Sequence, residues 1–322
     1  MKKRNKIIVG TRGSELALWQ SRWVAGELAR LYPSLLIETI IIKTTGDKIL
    51  DSPLSKIGDK GLFTKEIEKA LVDSTIDLAV HSLKDIPTIV TPGLTIGAVS
   101  AREDVRDVFI SHPKKKYSSL AAVPHGGTVA TGSLRRKCQL LNLRPDLKII
   151  DIRGNLNTRK TKLENSDWDG MLLAKAGVTR LGWANIITEI LGATTILPAV
   201  GQGALGIEIR EDDGFAASLI APLNDHSTEQ ATAGERALLR YLEGGCQVPI
   251  GTFGRIEKEI FLLDAVVGSL DGKRIVRGKI HGKPEDAARL GTSLAQELLE
   301  KGADKILAEI RLTAGQAGSM ST

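Results

Sequence analysis

The chain is 322 residues long, 42% hydrophobic and 25% charged, with a formal net charge of +6. That length fits two or three domains of ordinary size, and the balance is that of a soluble globular protein. Aromatic residues make up only 4%, which argues against stacking surfaces for bases or sugars, and no run reaches the ~18 apolar residues that a membrane span needs.

Lys6–Thr11 reads as a strand. It follows a basic start, and its apolar run is too short for a signal-peptide core. Ser14 then caps a helix to about Leu31, with Leu16, Trp19, Trp23, Val24, Leu28 and Leu31 near helical spacing. Leu36–Thr44 is β-branched and strand-like. Gly46–Gly61 is a loop of Gly, Asp and Lys, Thr64–Val72 is helical and Asp77–His81 is a short strand. Further strands are expected at Leu94–Val99 and Val108–Ile110. A β-α-β-α-β run follows: Thr128–Ala130, Ser133–Leu143, Lys148–Ile152, Asn155–Glu164 and Met171–Ala174. Such alternation points to parallel sheets covered by helices, an α/β fold. From Ser227 the texture changes to a helix, a Gly-Gly loop, strands near Ile260–Val267 and Arg274–Ile280 joined at Asp271-Gly272, and a helix from Pro284 to Lys301. That is a small separate α+β domain with a hairpin. The Gly/Ser/Ala-rich stretch 314–322 is expected to be a flexible tail.

Three turns share one design. Thr11-Arg12-Gly13-Ser14, Thr131-Gly132-Ser133-Leu134-Arg135-Arg136 and Arg153-Gly154-Asn155 each lead from a strand into a helix. Each puts arginine at a helix N-terminus, where the helix dipole disfavours a cation by roughly 0.3–1 kcal/mol. Free N–H groups, a small hydroxyl residue and a planar guanidinium suit a carboxylate or phosphate. One such turn is an ordinary capped helix with a solvated arginine; three together favour an anion-binding cleft. Arg159, one turn beyond Asn155, and Arg180 are further candidates beside the plain reading of surface charge.

His81-Ser82-Leu83-Lys84-Asp85-Ile86-Pro87 ends a buried strand at a proline that blocks helix. Lys84 and Asp85 are either an exposed pair or a carboxylate kept ionised among cations, able to face a developing positive charge. His81 reads as a structural histidine. Lys56, Lys60 and Phe63, in and just after the charged loop, could form a lid over an anionic ligand, or belong to a plain connection. The two cysteines fit no metal-ligand spacing and in a reducing compartment stay free. Cys138 shares a helix face with Leu134 and Leu141, as a small core residue would. Cys246 follows Gly244-Gly245 in a loop, either as a reactive thiol or as an inert one.

The segments TRGSELALWQ, SPLSKIGDKGLFTKEIE, DLAVHSLKDIP, ATGSLRRKCQLL, DIRGNLNTRK, LLAKAGVTRLG, LPAVGQGALGIE and LEGGCQVPIG run in order from residue 11 to about 251. In them the chain closely resembles the porphobilinogen deaminase family. The resemblance implies two lobes like those of a periplasmic binding protein, residues 1–101 with 204–221 and residues 106–199, plus a third domain at 226–313. It implies a dipyrromethane cofactor on Cys246 through a thioether, with no metal, and the joining of four porphobilinogen molecules into hydroxymethylbilane with loss of ammonia. Asp85 would hydrogen-bond pyrrole N–H groups and stabilise cations. Arg12, Lys84, Arg135, Arg136, Arg153, Arg159 and Arg180, with Ser14, Thr131 and Ser133, would hold the acidic side chains. A cytoplasmic monomer acting on a small molecule, with neither nucleic acid nor membrane as partner, completes that expectation. Lys175 departs from the family, which usually has a small or apolar residue there. A small-anion binding protein would explain the arginine turns but not the Gly-Gly-Cys loop or Asp85. A nucleic-acid binder would need a continuous basic face, and these arginines are dispersed.

Overall fold

The computed structural model describes residues 4–48, 63–242 and 248–319. The described residues divide into two compact units: 4–48 with 63–103 and 201–229, and 104–200 with 230–242 and 248–319.

In the first unit, strands β1 (Lys6–Thr11), β2 (Leu36–Ile41), β3 (Leu78–Ser82), β4 (Leu94–Val99) and β10 (Leu205–Arg210) form one sheet in the order β2-β1-β3-β10-β4. β1 is parallel to β2 and β3, and β10 is antiparallel to both of its neighbours. Parallel neighbours need a crossover, which the helices Glu15–Leu31 and Lys65–Val72 supply. Ile7, Val9, Val24, Leu28, Leu78 and Ile207 make the core on one face of the sheet, and Ile67, Leu71 and Ala79 pack on the other.

In the second unit, β5 (Asp107–Ser111), β6 (Thr128–Ala130), β7 (Lys148–Ile150), β8 (Gly170–Ala174) and β9 (Glu189–Ile190) form a sheet in the order β7-β6-β8-β5-β9. It repeats the first design: three parallel strands, then an antiparallel strand from a distant segment, then an edge. The same unit holds an antiparallel meander, β11 (Ile250–Glu257), β12 (Ile260–Gly268) and β13 (Ile275–Gly282). Its expected hairpin turns at Gly272, whose φ of +72° suits glycine. Helix Ala287–Leu298 covers this sheet with Leu290, Leu294 and Leu298 against Phe261 and Leu263; each buried leucine contributes ~1.5–3 kcal/mol. It meets helix His226–Tyr241 so closely that a Cβ on Gly291 would lie 2.1 Å from the Gly234 carbonyl oxygen.

Several elements differ from the sequence reading. The second strand ends at Ile41 rather than Thr44. β10 and β11 were not expected; the buried Glu208 inside LGIEIR hides β10's apolar run. The expected helix Pro284–Lys301 begins as a 3₁₀ turn, Pro284–Asp286, and its α-helical part stops at Leu298. The chain then reverses its backbone at Gly302, φ +99°. The tail expected to be loose from residue 314 instead continues helix Asp304–Ser319. Ile306 and Leu307 bury its start, and adding residues to a nucleated helix costs little. Among the described residues no helix is long and apolar enough to cross a membrane.

Candidate functional site

The first arginine turn is built as its sequence suggests. Ser14 caps helix Glu15–Leu31, its Oγ accepting from Ala17 N–H at 3.3 Å. Thr11 is fully buried and donates through Oγ1 to the Ala17 carbonyl at 3.2 Å, pinning the turn to the helix. Arg12 stacks over Phe63, with its guanidinium carbon 4.3 Å from the ring centre. The segment after β3 is a 3₁₀ turn, Leu83–Asp85, closed by Ile86 N–H on the Leu83 carbonyl at 3.2 Å. Leu83 and Ile86 are buried beneath it, which turns Lys84 and Asp85 toward the surface as half-exposed residues.

These turns converge on one cavity, lined by Arg12, Ser14, Gln20, Phe63, His81, Ser82 and Asp85 among others. It unites a carboxylate, a guanidinium, three hydroxyls, an amide and an imidazole over apolar walls from Leu16 and Ala17. Gln20, buried on the helix, donates through Nε2 to Ser82 Oγ at 2.7 Å. Gln20, Ser82 and Thr64 were not anticipated from sequence: a glutamine inside an amphipathic helix carries no signal until the fold turns it inward. Lys84 does not line this cavity.

The other arginine turns lie in the second unit. Ser133 caps helix Leu134–Leu143, and Ser133 N–H donates to Thr131 Oγ1 at 3.3 Å. Arg135 and Arg136, in the first turn, are 4% and 5% exposed, which the sequence reading of them as ligand contacts does not anticipate. Arg135 donates to Asp107 Oδ2 and to the Leu197 carbonyl at 2.8 and 2.7 Å. Arg136 donates to Asp107 Oδ1 and to the Leu172 carbonyl at 2.8 and 3.2 Å. Burial alone would raise the Asp107 carboxyl, but the two guanidiniums outweigh it and hold it well below the usual carboxylate range. Two cations therefore share one buried anion, and both Nε groups lack a hydrogen-bond partner among the described residues. Asp107, from β5, offsets the unfavourable helix dipole; sequence spacing gave no hint of it.

Arg153 lies 3.7 Å, through Nε, from Asp151 Oδ2, and burial lowers its pKa. Asn155 caps helix Leu156–Glu164, and Arg159 donates back from it to the Gly154 carbonyl at 2.9 Å. Arg180 is buried at the last turn of helix Lys175–Arg180, the end where the dipole favours a cation. Lys175, expected to add charge beside Arg180, is instead paired with Asp104 at 2.8 Å. Cys138 is fully buried, and burial pushes its thiol up to about 12. Cys246, Lys56 and Lys60 lie outside the described residues. Among those described, no group of three or more His, Cys, Asp or Glu side chains is placed to hold a metal.

A larger cavity in the second unit, about 330 Å³, is lined by Ile110, Leu163, Met171 and Tyr117 among others. Its Lys160 is already paired with Glu164 at 2.5 Å. Size therefore does not identify the site; convergence of unlike polar groups does.

Comparison with known proteins gives the family. Residues 7–218 match the family described as porphobilinogen deaminase, dipyromethane cofactor binding domain, and residues 229–300 match its C-terminal domain. The porphobilinogen deaminase of Carboxydothermus hydrogenoformans is 51% identical over 97% of this chain and 100% of its own length. Those of Chlorobium phaeobacteroides and Chlorobaculum parvum are 53% and 54% identical, each over 96% of this chain and 99% of theirs. Among solved structures, the Bordetella pertussis BvgS periplasmic VFT2 domain covers 67% of this chain and 86% of its own, at 14% identity and a TM-score of 0.41. By two matched domains and by majority identity along nearly its whole length, the chain belongs to the porphobilinogen deaminase family.

Proposed function

We propose that this chain joins four porphobilinogen molecules head to tail into the linear tetrapyrrole hydroxymethylbilane, releasing ammonia at each addition. The observation that carries the reading to particular residues is the cavity shared by Asp85 and Arg12. Porphobilinogen is a pyrrole with acidic side chains and an aminomethyl group. A carboxylate suits its ring N–H and the cation left when ammonia departs, while a guanidinium suits an acetate or propionate.

The same donor set fits a dipyrromethane, which presents pyrrole N–H groups and carboxylates to it. When bound, that group supplies the first pyrrole with a free α-carbon. Cys246 would hold it through a thioether. Asp85 would accept from ring N–H groups, and Arg12, Lys84, Arg153, Arg159 and Arg180 would take the carboxylates, with Ser14, Thr131 and Ser133 as neutral donors. Each charge-assisted bond is worth roughly 1.5–3 kcal/mol. Arg135 and Arg136 would act from within, as a buried excess of positive charge around Asp107. Phe63 stacks on Arg12, and Lys56 and Lys60, which lie outside the described residues, would complete a lid with it. A cytoplasmic monomer is the setting proposed for this chemistry.

Intact mass of the purified chain tests the reading. An increment of two pyrrole units, lost in Cys246→Ser and kept in Cys138→Ser, together with consumption of porphobilinogen, is expected. Active protein with no increment, or an increment mapped to Cys138, would overturn the attachment.

A further inference from the structure

A buried titratable pair beside the Asp85 cavity has no part in the reading above. His81 on β3 is 5% exposed and Glu208 on β10 is 1% exposed. The two strands are antiparallel, with Gly206 opposite His81 and Glu208 opposite Ala79. Residues two apart on a strand share a face, so His81 and Glu208 lie on the same side of the sheet. His81 Nε2 comes within 3.3 Å of Glu208 Oε2. The alignment stops short of a hydrogen bond. Among the described residues, neither Nε2 nor either carboxylate oxygen has a hydrogen-bond partner. A buried carboxylate whose one ionic neighbour among the described residues is an imidazole is costly, and packing does not account for it. His81 also lines the cavity with Asp85, Arg12, Gln20 and Ser82. With Nε2 turned to Glu208, Nδ1 is the ring nitrogen left for a molecule in that cavity.

We propose that His81 and Glu208 form a proton-accepting dyad in this site, His81 as a catalytic residue and Glu208 as the residue that positions it. The proposal rests on the pyrrole-joining reading. Glu208 holds the proton of the neutral imidazole on Nε2, and Nδ1 keeps its lone pair; a carboxylate behind a histidine fixes tautomer and orientation in this way. When a porphobilinogen is joined, its aminomethyl C–N bond breaks and the electron pair leaves with ammonia. A C–C bond then forms between its methylene carbon and the α-carbon of the accepting pyrrole, with the electron pair coming from that pyrrole. The α C–H bond of the accepting pyrrole breaks, its electron pair restores the aromatic ring, and the proton passes to His81 Nδ1. The imidazolium, paired with Glu208, yields the proton to solvent, where the released ammonia takes it up. Asp85 stays opposite the ring N–H groups throughout. The site thus divides its labour: one carboxylate faces charge, and an imidazole moves the proton.

Two measurements test this. The first is nitrogen-15 NMR of the histidine rings in the purified holoenzyme, with His81 identified among the five histidines by the signals lost in His81→Gln. The expected result is an Nε2–H tautomer at His81, giving way to mixed tautomers in Glu208→Gln. An Nδ1–H tautomer in the unsubstituted protein overturns the dyad. The second is single-turnover ring addition onto holoenzyme first loaded with one porphobilinogen deuterated at its free α-position, so that the deuterium lies on the accepting pyrrole. Positioned general bases contribute 10²–10⁴-fold, so His81→Gln is expected to slow addition by about 100-fold or more at little changed KM. Its isotope effect should rise above that of the unsubstituted enzyme as C–H cleavage becomes limiting. Glu208→Gln should show the same signs more weakly, and serves if His81→Gln does not fold. A rate within a few-fold of the unsubstituted enzyme, or an isotope effect unchanged in the variants that fold, overturns the proposal. Unsubstituted protein that neither carries pyrrole mass nor consumes porphobilinogen would count against the functional reading instead, and the tautomer measurement would still decide the pair.

Discussion

Arg136 donates through Nη2 to Asp107 Oδ1 at 2.8 Å, and both side chains lie inside the protein. Arg135 takes the other oxygen. An arginine in the first turn of a helix looks, in sequence, like a group waiting for an anionic ligand. Here the fold supplies an anion of its own and still leaves one positive charge in excess.

Removing that anion should be costly. Asp107→Asn leaves two buried guanidiniums without a counter-charge, and breaking a buried pair from one side costs about 3–5 kcal/mol. A urea midpoint lowered to match at neutral pH is expected, and an unchanged midpoint would refute it. The acid dependence follows from the direction of the shift. The folded carboxyl lies below the ordinary value of ~3.9, so its stabilisation is complete above that value and fades as pH falls toward the folded one. In Asp107→Asn this part of the acid loss should be missing.

The thiol of Cys138 should be inert in the folded protein. It is fully buried, and its pKa is pushed up to about 12, so almost no thiolate exists at pH ~8 to react. Iodoacetamide should leave it untouched in native protein and modify it once the chain is unfolded. Rapid native alkylation at Cys138, mapped by peptide mass, would contradict its placement.

Asp85→Asn tests charge at nearly constant shape. Loss of one preorganised electrostatic partner removes about 3–4 kcal/mol of transition-state stabilisation, or a factor of hundreds in turnover. The comparison is single-turnover ring addition in protein whose pyrrole increment is confirmed by mass. Addition within a few-fold of the unsubstituted rate would show that this carboxylate is not the catalytic group.

Phe63 holds the Arg12 guanidinium from one face. A cation–π contact of this kind is worth about 0.5–1 kcal/mol when partly exposed. Phe63→Leu should therefore raise KM for porphobilinogen by about two- to five-fold, with Phe63→Trp near the unsubstituted value. Steady-state kinetics of the pair checks it; equal KM values for Leu and Trp would remove the ring from the account.

Arg153→Ala should impair pyrrole loading or the first addition while keeping the fold. Its nearest anion, Asp151, is 3.7 Å away and half-exposed, so little native stability depends on the contact. Mass and thermal unfolding together decide: full loading with full turnover contradicts the role, and a large fall in melting temperature would make it structural.

Much was legible before any coordinates. The helix caps at Ser14, Ser133 and Asn155, the parallel runs between them and the hairpin at Asp271-Gly272 follow from local chemistry. Caps and turns are short-range, so a few adjacent residues determine them. The same holds for Arg12 and Asp85, each placed by its own turn. What stayed hidden depends on residues far apart in the chain. β10 enters a sheet begun almost 200 residues earlier, between β3 and β4. Its Glu208 breaks the apolar run by which a buried strand is recognised, because that carboxylate faces His81. Asp107 lies 28 and 29 residues from the arginines it holds, and Gln20 is 62 from Ser82. The sequence by itself determined the local elements, the cap residues and the kind of chemistry the chain carries. The tertiary structure alone decided which charges neutralise one another inside and which are left for a ligand, because burial and charge pairing are set by distance in space rather than along the chain.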